Sequence, residues 1–182
     1  MRIIGGQFRG RKIKQPELET TRPTKDRIRE AVFNIIAVRV PGSKVLDIFA
    51  GSGAYGLEAL SRGAEEAVFV EKNKVCSGVL NENIQVLGVT DDSEVIAADF
   101  FEIGGTLKEK GPFDLVFLDP PYSKNLAKKA LIMINQYDIL GHSGLLIIEH
   151  SSEESLPGKE GGISLVKQKT YKKICISIFL KK

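Results

Sequence analysis

Apolar positions change their spacing several times along this chain, and each change predicts an element. From residue 44 the runs "KVLDIF", "EAVFVE", "SEVIAAD", "FDLVFLD" and "GLLIIEH" are short and mostly apolar, as strands covered on both faces are. Between them lie stretches of helical character. Gly51 to Gly63 reads as a turn and short helix, and residues 73–87 set Val75, Val79, Leu80, Ile84 and Leu87 at helical intervals. A further helix is predicted over 125–137. Five strands alternating with such stretches predict right-handed crossovers and a doubly wound parallel sheet. The ending differs. "ISLVKQKT" and "KICISIFLK" alternate apolar and polar residues and lie too close together for a crossover helix, so they predict an antiparallel hairpin. The polar "SSEESLPGKEGG" before them predicts a loop.

Upstream of residue 44, "TKDRIREAVFNIIAVRV" predicts a helix with Thr24 as N-cap, Asp26 in its first turn and Ile28, Val32, Ile35 and Ile36 on its apolar face. The opening "MRIIGGQFRGRKIK" predicts a small glycine-turned β-hairpin. No internal repeat or low-complexity segment interrupts the pattern. The length of 182 residues predicts one domain, with residues 1–23 as an N-terminal arm and 24–182 as helix and core.

Charge changes this picture more than bulk composition does. With 42% hydrophobic and 27% charged residues the chain has ordinary globular proportions. No apolar run reaches the length of a membrane span, and none follows the first charges as a signal peptide requires, so a cytoplasmic location is expected. The net charge of +3 is unevenly spread. Residues 1–29 hold nine basic and three acidic side chains, which leaves −3 for the rest. A basic arm on a mildly acidic body predicts nucleic-acid contact, with Arg9, Arg11, Lys12 and Lys14 meeting phosphates and Lys124 a further contact, ahead of Lys128 and Lys129. The two cysteines, Cys76 and Cys175, give no reason to expect a disulfide. Two histidines, placed in loops or at strand ends, do not suggest a metal site.

Ligands on a doubly wound sheet bind beyond the carboxyl ends of its strands. Asp47, Glu71, Asp99 and Asp119 all fall at such ends, a convergence that packing does not explain. "AGSGAYG" contains GxGxxG in Gly51, Gly53 and Gly56, with Glu71 twenty residues past Gly51. That motif alone suits a dinucleotide, whose pyrophosphate would sit at the helix N-terminus. A carboxylate four residues before the first glycine opposes that charge. S-adenosylmethionine carries no phosphate. It carries an ammonium and a sulfonium, which acids complement, and a ribose diol that Glu71 could grip. The acids therefore favour S-adenosylmethionine over a dinucleotide, and the absence of a second, substrate-binding domain agrees.

The fourth strand ends in Asp119-Pro120-Pro121-Tyr122. Proline fixes φ and lacks an N–H, so the pair stops the strand and stiffens the turn after it. An exocyclic base amine is a poor nucleophile because its lone pair is delocalised into the ring. The Asp119 carboxylate and the Pro120 carbonyl, accepting its two N–H groups, would localise that lone pair. Rigid placement of the reacting atoms then supplies most of the rate. Tyr122 offers a ring for an extruded base to stack on, worth about 1–3 kcal/mol by analogy with single-strand readers. These residues alone point to methylation of an amine on a nucleic-acid base. A dehydrogenase and a non-enzymatic RNA-binding assembly factor are the weaker alternatives.

"RPT" at 22–24, "DIFAGSGAYGLEALSRGA" at 47–64, "FVEK" at 69–72 and "DPPY" at 119–122, with the opening "RIIGGQFRGRKI", resemble the RsmD family over nearly the whole chain. Its members are 16S rRNA (guanine-N2)-methyltransferases. The resemblance implies a Rossmann-like α/β class I methyltransferase with a seven-stranded, mostly parallel sheet and S-adenosyl-L-methionine as methyl donor. The implied substrate is a guanine of 16S rRNA, met in a partly assembled small ribosomal subunit. It also implies that Asp47, Ala50, Gly51 and Gly53 hold the methionine part of the cofactor. Glu71 takes the ribose hydroxyls, Asp99 with the Phe100 backbone takes the adenine, Lys72 is a further cofactor contact, and Arg22 and Thr24 sit in a motif that closes over the cofactor. Asp119, Pro120 and Tyr122 face the guanine. DPPY is shared with adenine-N6 methyltransferases, so that activity stays open as the rival. Tyr55 departs from the family, which has a smaller aliphatic residue there, and leaves open how the ring packs beside the glycine turn.

Overall fold

The computed structural model describes residues 1–16, 23–121 and 125–182. Helix α1 (Pro23–Ile35) begins on proline, a residue suited to a first turn because that position has no intrahelical partner for an N–H. Thr24 therefore falls inside the helix, as its second residue and not as the predicted cap. The parallel core follows as β1 (Lys44–Ile48), α2 (Ala54–Ser61), β2 (Glu66–Val70), α3 (Lys74–Leu87) and β3 (Ser93–Ile96). It continues through α4 (Gly104–Lys110), β4 (Phe113–Leu118), α5 (Leu126–Gln136) and β5 (Leu140–Ser151). The chain closes with β6 (Lys159–Glu160), β7 (Ile163–Tyr171) and β8 (Ile174–Lys181).

These strands form one sheet in the order β3-β2-β1-β4-β5-β8-β7-β6. Pairing is parallel from β3 through β5 and antiparallel from β5 to β6. The expected fold is present with one strand more than the expected seven. The addition is β6, two residues long, inside the stretch predicted to be a loop. Its two residues pair with Ser164 and Ile163, and so short a strand has no periodicity to read. Helix α4 is also new, because "GGTLKEK" opens on two glycines, the weakest helix formers after proline. The N-terminal hairpin is reduced to one antiparallel bridge, Arg2 with Lys12, flanked by hydrogen bonds such as Ile3 N to Arg11 O at 3.0 Å.

Alternation within each strand builds two cores. Val45, Phe69, Leu115, Phe117 and Ile147 pack on one face against Ile28, Val32 and Phe33 of α1, Leu57 of α2 and Leu80 of α3. Leu46, Ile48, Val116, Leu118 and Ile148 face the other way, against Leu107 of α4 and Leu131 and Ile134 of α5. Both sides of the central strands are thus dry, which is why they read as continuous apolar runs. The chain leaves β1 outward to β2 and β3, then returns to place β4 on the other side of β1. That reversal between β1 and β4 opens a crevice at the carboxyl ends of the strands.

Candidate active site

Strand β1 ends in a turn with unusual backbone. Phe49 has φ +59°, a left-handed conformation that bulky residues seldom adopt, and Gly51 and Gly53 follow at +55° and +83°. A side chain at Gly53 would place its Cβ 2.4 Å from Leu80 Cδ1, and one at Gly56 would lie 2.3 Å from Phe69 Cε1. The first glycine pair shapes the turn, whereas Gly56 lets α2 settle on β2. Two carboxylates hold this turn. Asp47 Oδ2 accepts the Gly56 N–H at 2.9 Å. Glu71 accepts the N–H groups of Gly51 at 2.9 Å and Asn73 at 2.7 Å.

Around the turn lies a cavity of about 470 Å³, within the size range of small-molecule sites. Asp47, Ala50, Gly51, Glu71, Lys72, Asp119 and Pro120 line it, so seven of the residues singled out in the sequence share one wall-to-wall space. Gly53 shapes the turn from behind. Asp99 and Phe100 do not line the cavity. Asp99 caps the next turn by accepting the Phe101 N–H at 3.0 Å and pairs with Lys72 Nζ at 3.3 Å. Phe100 is buried against Phe49, their ring centres 6.1 Å apart. Arg22, Tyr122, Lys124 and the side chain of Thr24 lie outside the described residues.

The sheet register explains why the acids meet. Asp47 stands opposite Phe117 of β4, and Phe117 opposite Ile147 of β5, so all three point to the α1 face. Asp119 and Glu149 lie two residues further along the same chains, just beyond Leu118 and Ile148, the last pair between β4 and β5, with Glu149 still paired to Ile176 of β8. Glu149 is thus a fifth acid of the set, buried and lining the cavity. Its signal was available in the sequence, since it too follows directly on an apolar run, residues 145–148.

Tyr55 completes this corner. Its ring stacks on Phe117, with centres 5.1 Å apart, and its hydroxyl donates to Glu149 Oε2 at 3.0 Å. Burial pushes the phenol well above its ordinary pKa of 10, and the charges of Glu149 and Asp119 push the same way. The residue that departs from the family pattern is therefore well packed and buttresses Glu149.

The N-terminal segment closes the cavity's remaining side. Met1 and Gln15 line it, as does Arg29 of α1. The buried Glu58 of α2 accepts the N–H groups of Ile4 and Gly5, both at 2.8 Å, and Arg62 Nε at 2.8 Å. Arg29 lies 3.7 Å from the same carboxylate and donates to Arg2 O at 2.8 Å. The predicted arm is therefore docked along its first 14 residues. Arg9, Arg11 and Lys12 remain exposed on it, while Lys14 is drawn to Glu82 at 2.5 Å. Neither Glu58 nor Arg29 stood out in the sequence, because a charge inside an amphipathic helix reads as part of its solvent face until its neighbours are known. Both cysteines are free thiols, and both histidines sit near the ends of β5.

A parallel sheet reversing between β1 and β4, a glycine turn braced by carboxylates and an antiparallel β8–β7 end together define a Rossmann-like methyltransferase. The model of the family described as Conserved hypothetical protein 95 matches residues 1–180, and the chain belongs to that family, the RsmD family its motifs resemble. It is 35% identical to the ribosomal RNA small subunit methyltransferase D of Escherichia coli K12 over 180 residues, 98% of this chain and 89% of that protein. The protein of the same name from Haemophilus influenzae is 37% identical over 93% of this chain and 88% of its own. A solved Escherichia coli structure, 34% identical, superposes with a TM-score of 0.88 over 100% of this chain and 98% of its own.

Proposed function

We propose that this protein transfers a methyl group from S-adenosylmethionine to the exocyclic N2 of a guanine in small-subunit ribosomal RNA, met in a partly assembled particle in the cytoplasm. The observation that carries the reading is that Asp119 and Pro120 open into the same cavity as the glycine turn and Glu71. The donor set suits the cofactor's chemistry. Glu71, fixed by two backbone N–H groups, presents a carboxylate to a diol, and Asp47 adds negative charge for a cationic ligand. Among the described residues the basic side chains on this cavity are already engaged, Lys72 by Asp99 and Arg29 by Asp26, Glu58 and the Arg2 carbonyl, which leaves a poor setting for a pyrophosphate.

Bound there, S-adenosylmethionine supplies a methyl carbon made electrophilic by its sulfonium. The chain's own work is to hold the amine. Asp119 and the Pro120 carbonyl accept its two N–H groups and concentrate the lone pair on nitrogen. Pro120 and Pro121 restrict the backbone, so the acceptors are in place before the base arrives. Once nitrogen carries the methyl and a positive charge, its proton is acidic enough to pass to an Asp119 oxygen. Tyr122 supplies the stacking ring.

The test is methyl transfer to small-subunit rRNA by wild type and Asp119→Ala, with digested RNA scored by mass spectrometry for N2-methylguanosine and N6-methyladenosine. The expected product is N2-methylguanosine, lost almost completely in the variant while cofactor affinity is kept. N6-methyladenosine as product, or wild-type turnover in the variant, refutes the assignment.

A further inference from the structure

The C-terminal strands carry a second concentration of positive charge. Residues 163–182 contain six lysines and no acid, which gives +6, equal to the N-terminal 29 residues, and leaves −9 between them. Lys181 is engaged by Asp138 and the Leu140 carbonyl. Lys167, Lys169, Lys172 and Lys173 are exposed, and among the described residues none of them forms an ion pair. Acids do stand nearby: Glu153 and Glu154 follow the turn residue Ser152, whose N–H donates to Lys173 O at 3.0 Å, and Glu149 shares a cross-strand row with Ile176 and Lys169.

A β-bulge aims these lysines. Leu165 stands opposite Phe179 and packs toward the α4–α5 core, so unbroken alternation would send Lys167 and Lys169 the same way. The pairing shifts by one residue at Val166, and Lys167, Lys169 and Tyr171 instead oppose Ile178, Ile176 and Ile174. Those isoleucines belong to the α1-side core, the face toward which Asp47, Asp119 and Glu149 point. Lys169 Nζ lies 5.5 Å from the centre of the Tyr171 ring. The turn holding Lys172 and Lys173 sits at the carboxyl end of β5, since Ser151 pairs with Ile174. From β4 to β7 is three strand spacings, about 14 Å.

The structure assigns Lys167, Lys169, Lys172 and Lys173, with the Tyr171 ring, as a second RNA-phosphate surface, on the β7 side of the sheet and separate from Arg9, Arg11 and Lys12 of the N-terminal segment. RNA held there lies beside the carboxyl end of β5, whose Glu149 lines the cavity. This rests on the proposed rRNA substrate. A lysine-rich outer strand also discourages strand-to-strand association, and most of β7 is an open edge because β6 covers only Ser164 and Ile163. Edge protection and phosphate binding predict different outcomes when the charge is removed.

The four lysines are changed together to Gln in the full chain, and separately to Arg. Binding to partly assembled small-subunit particles is measured from 50 to 200 mM salt, with thermal midpoint and S-adenosylmethionine binding as checks of folding. Four lost contacts lower the salt slope by about 3, so wild-type affinity falls about 60-fold more than the Gln variant's over that fourfold range. The Arg variant keeps the wild-type slope. An unchanged slope in a folded Gln variant overturns the assignment, and so does an unchanged slope with new dimers or larger species in gel filtration, which marks the lysines as edge protection. If wild type itself shows no salt-dependent binding, the rRNA reading falls and this one with it.

Discussion

Tyr55→Phe removes one oxygen and keeps the ring that stacks on Phe117. The lost bond joins a buried hydroxyl to a buried carboxylate that is 3% exposed. Hydrogen bonds to charged groups contribute about 1.5–3 kcal/mol, so stability at pH 7 should fall by that amount, a drop of about 3–12 °C in melting temperature for a chain of this size. Alkaline pH gives the opposite signature. Burial first, then the charge of Glu149, raises the pKa of folded Tyr55, so above about pH 10 the unfolded tyrosine ionises while the folded one stays neutral. The stability held below pH 10 is thus lost as pH rises toward the folded pKa, at up to about 1.4 kcal/mol per pH unit. Phenylalanine removes that contribution, and the variant's alkaline decline should be shallower. Urea unfolding followed by circular dichroism at pH 7 and at several values above 10 measures both effects. A variant within about 0.5 kcal/mol of wild type at pH 7, with the same alkaline decline, would show that the hydroxyl does not brace Glu149.

Glu58→Ala should cost about 3–5 kcal/mol, because Arg29 and the N–H groups of Ile4 and Gly5 lose a buried acceptor. Hydrogen exchange at those two amides should become fast, and continued protection would count against Glu58 as the anchor of the N-terminal segment. His150 donates from Nδ1 to Ser151 O at 2.9 Å, so Nε2, 2.8 Å from Ser177 Oγ, is the acceptor of the neutral ring. Burial holds its pKa below the ordinary 6.5. Stability is then full above about pH 6.5 and lost as pH falls toward the folded pKa, and an NMR titration of the ring with its midpoint at 6.5 would contradict this.

Sequence periodicity determined the parallel core, because a strand dry on both faces must be apolar throughout and the helices between must repeat every three to four residues. The meeting of three of the four strand-end acids in one cavity was equally legible. Asp47, Glu71 and Asp119 are polar residues placed where an apolar run stops, and the glycines between them fit a turn that admits little else. What the tertiary structure alone decided depends on contacts between distant segments. Glu58 and Arg29 read as solvent-facing charges until the N-terminal segment covers them. Tyr55 reads as an awkward substitution until β5 brings Glu149 to its hydroxyl, 94 positions away. The lysines of β7 alternate in sequence without declaring a face, since one extra residue at Val166 reverses which side of the sheet they occupy. Local propensity has a range of a few residues, whereas burial, register and charge pairing are set only when the sheet closes.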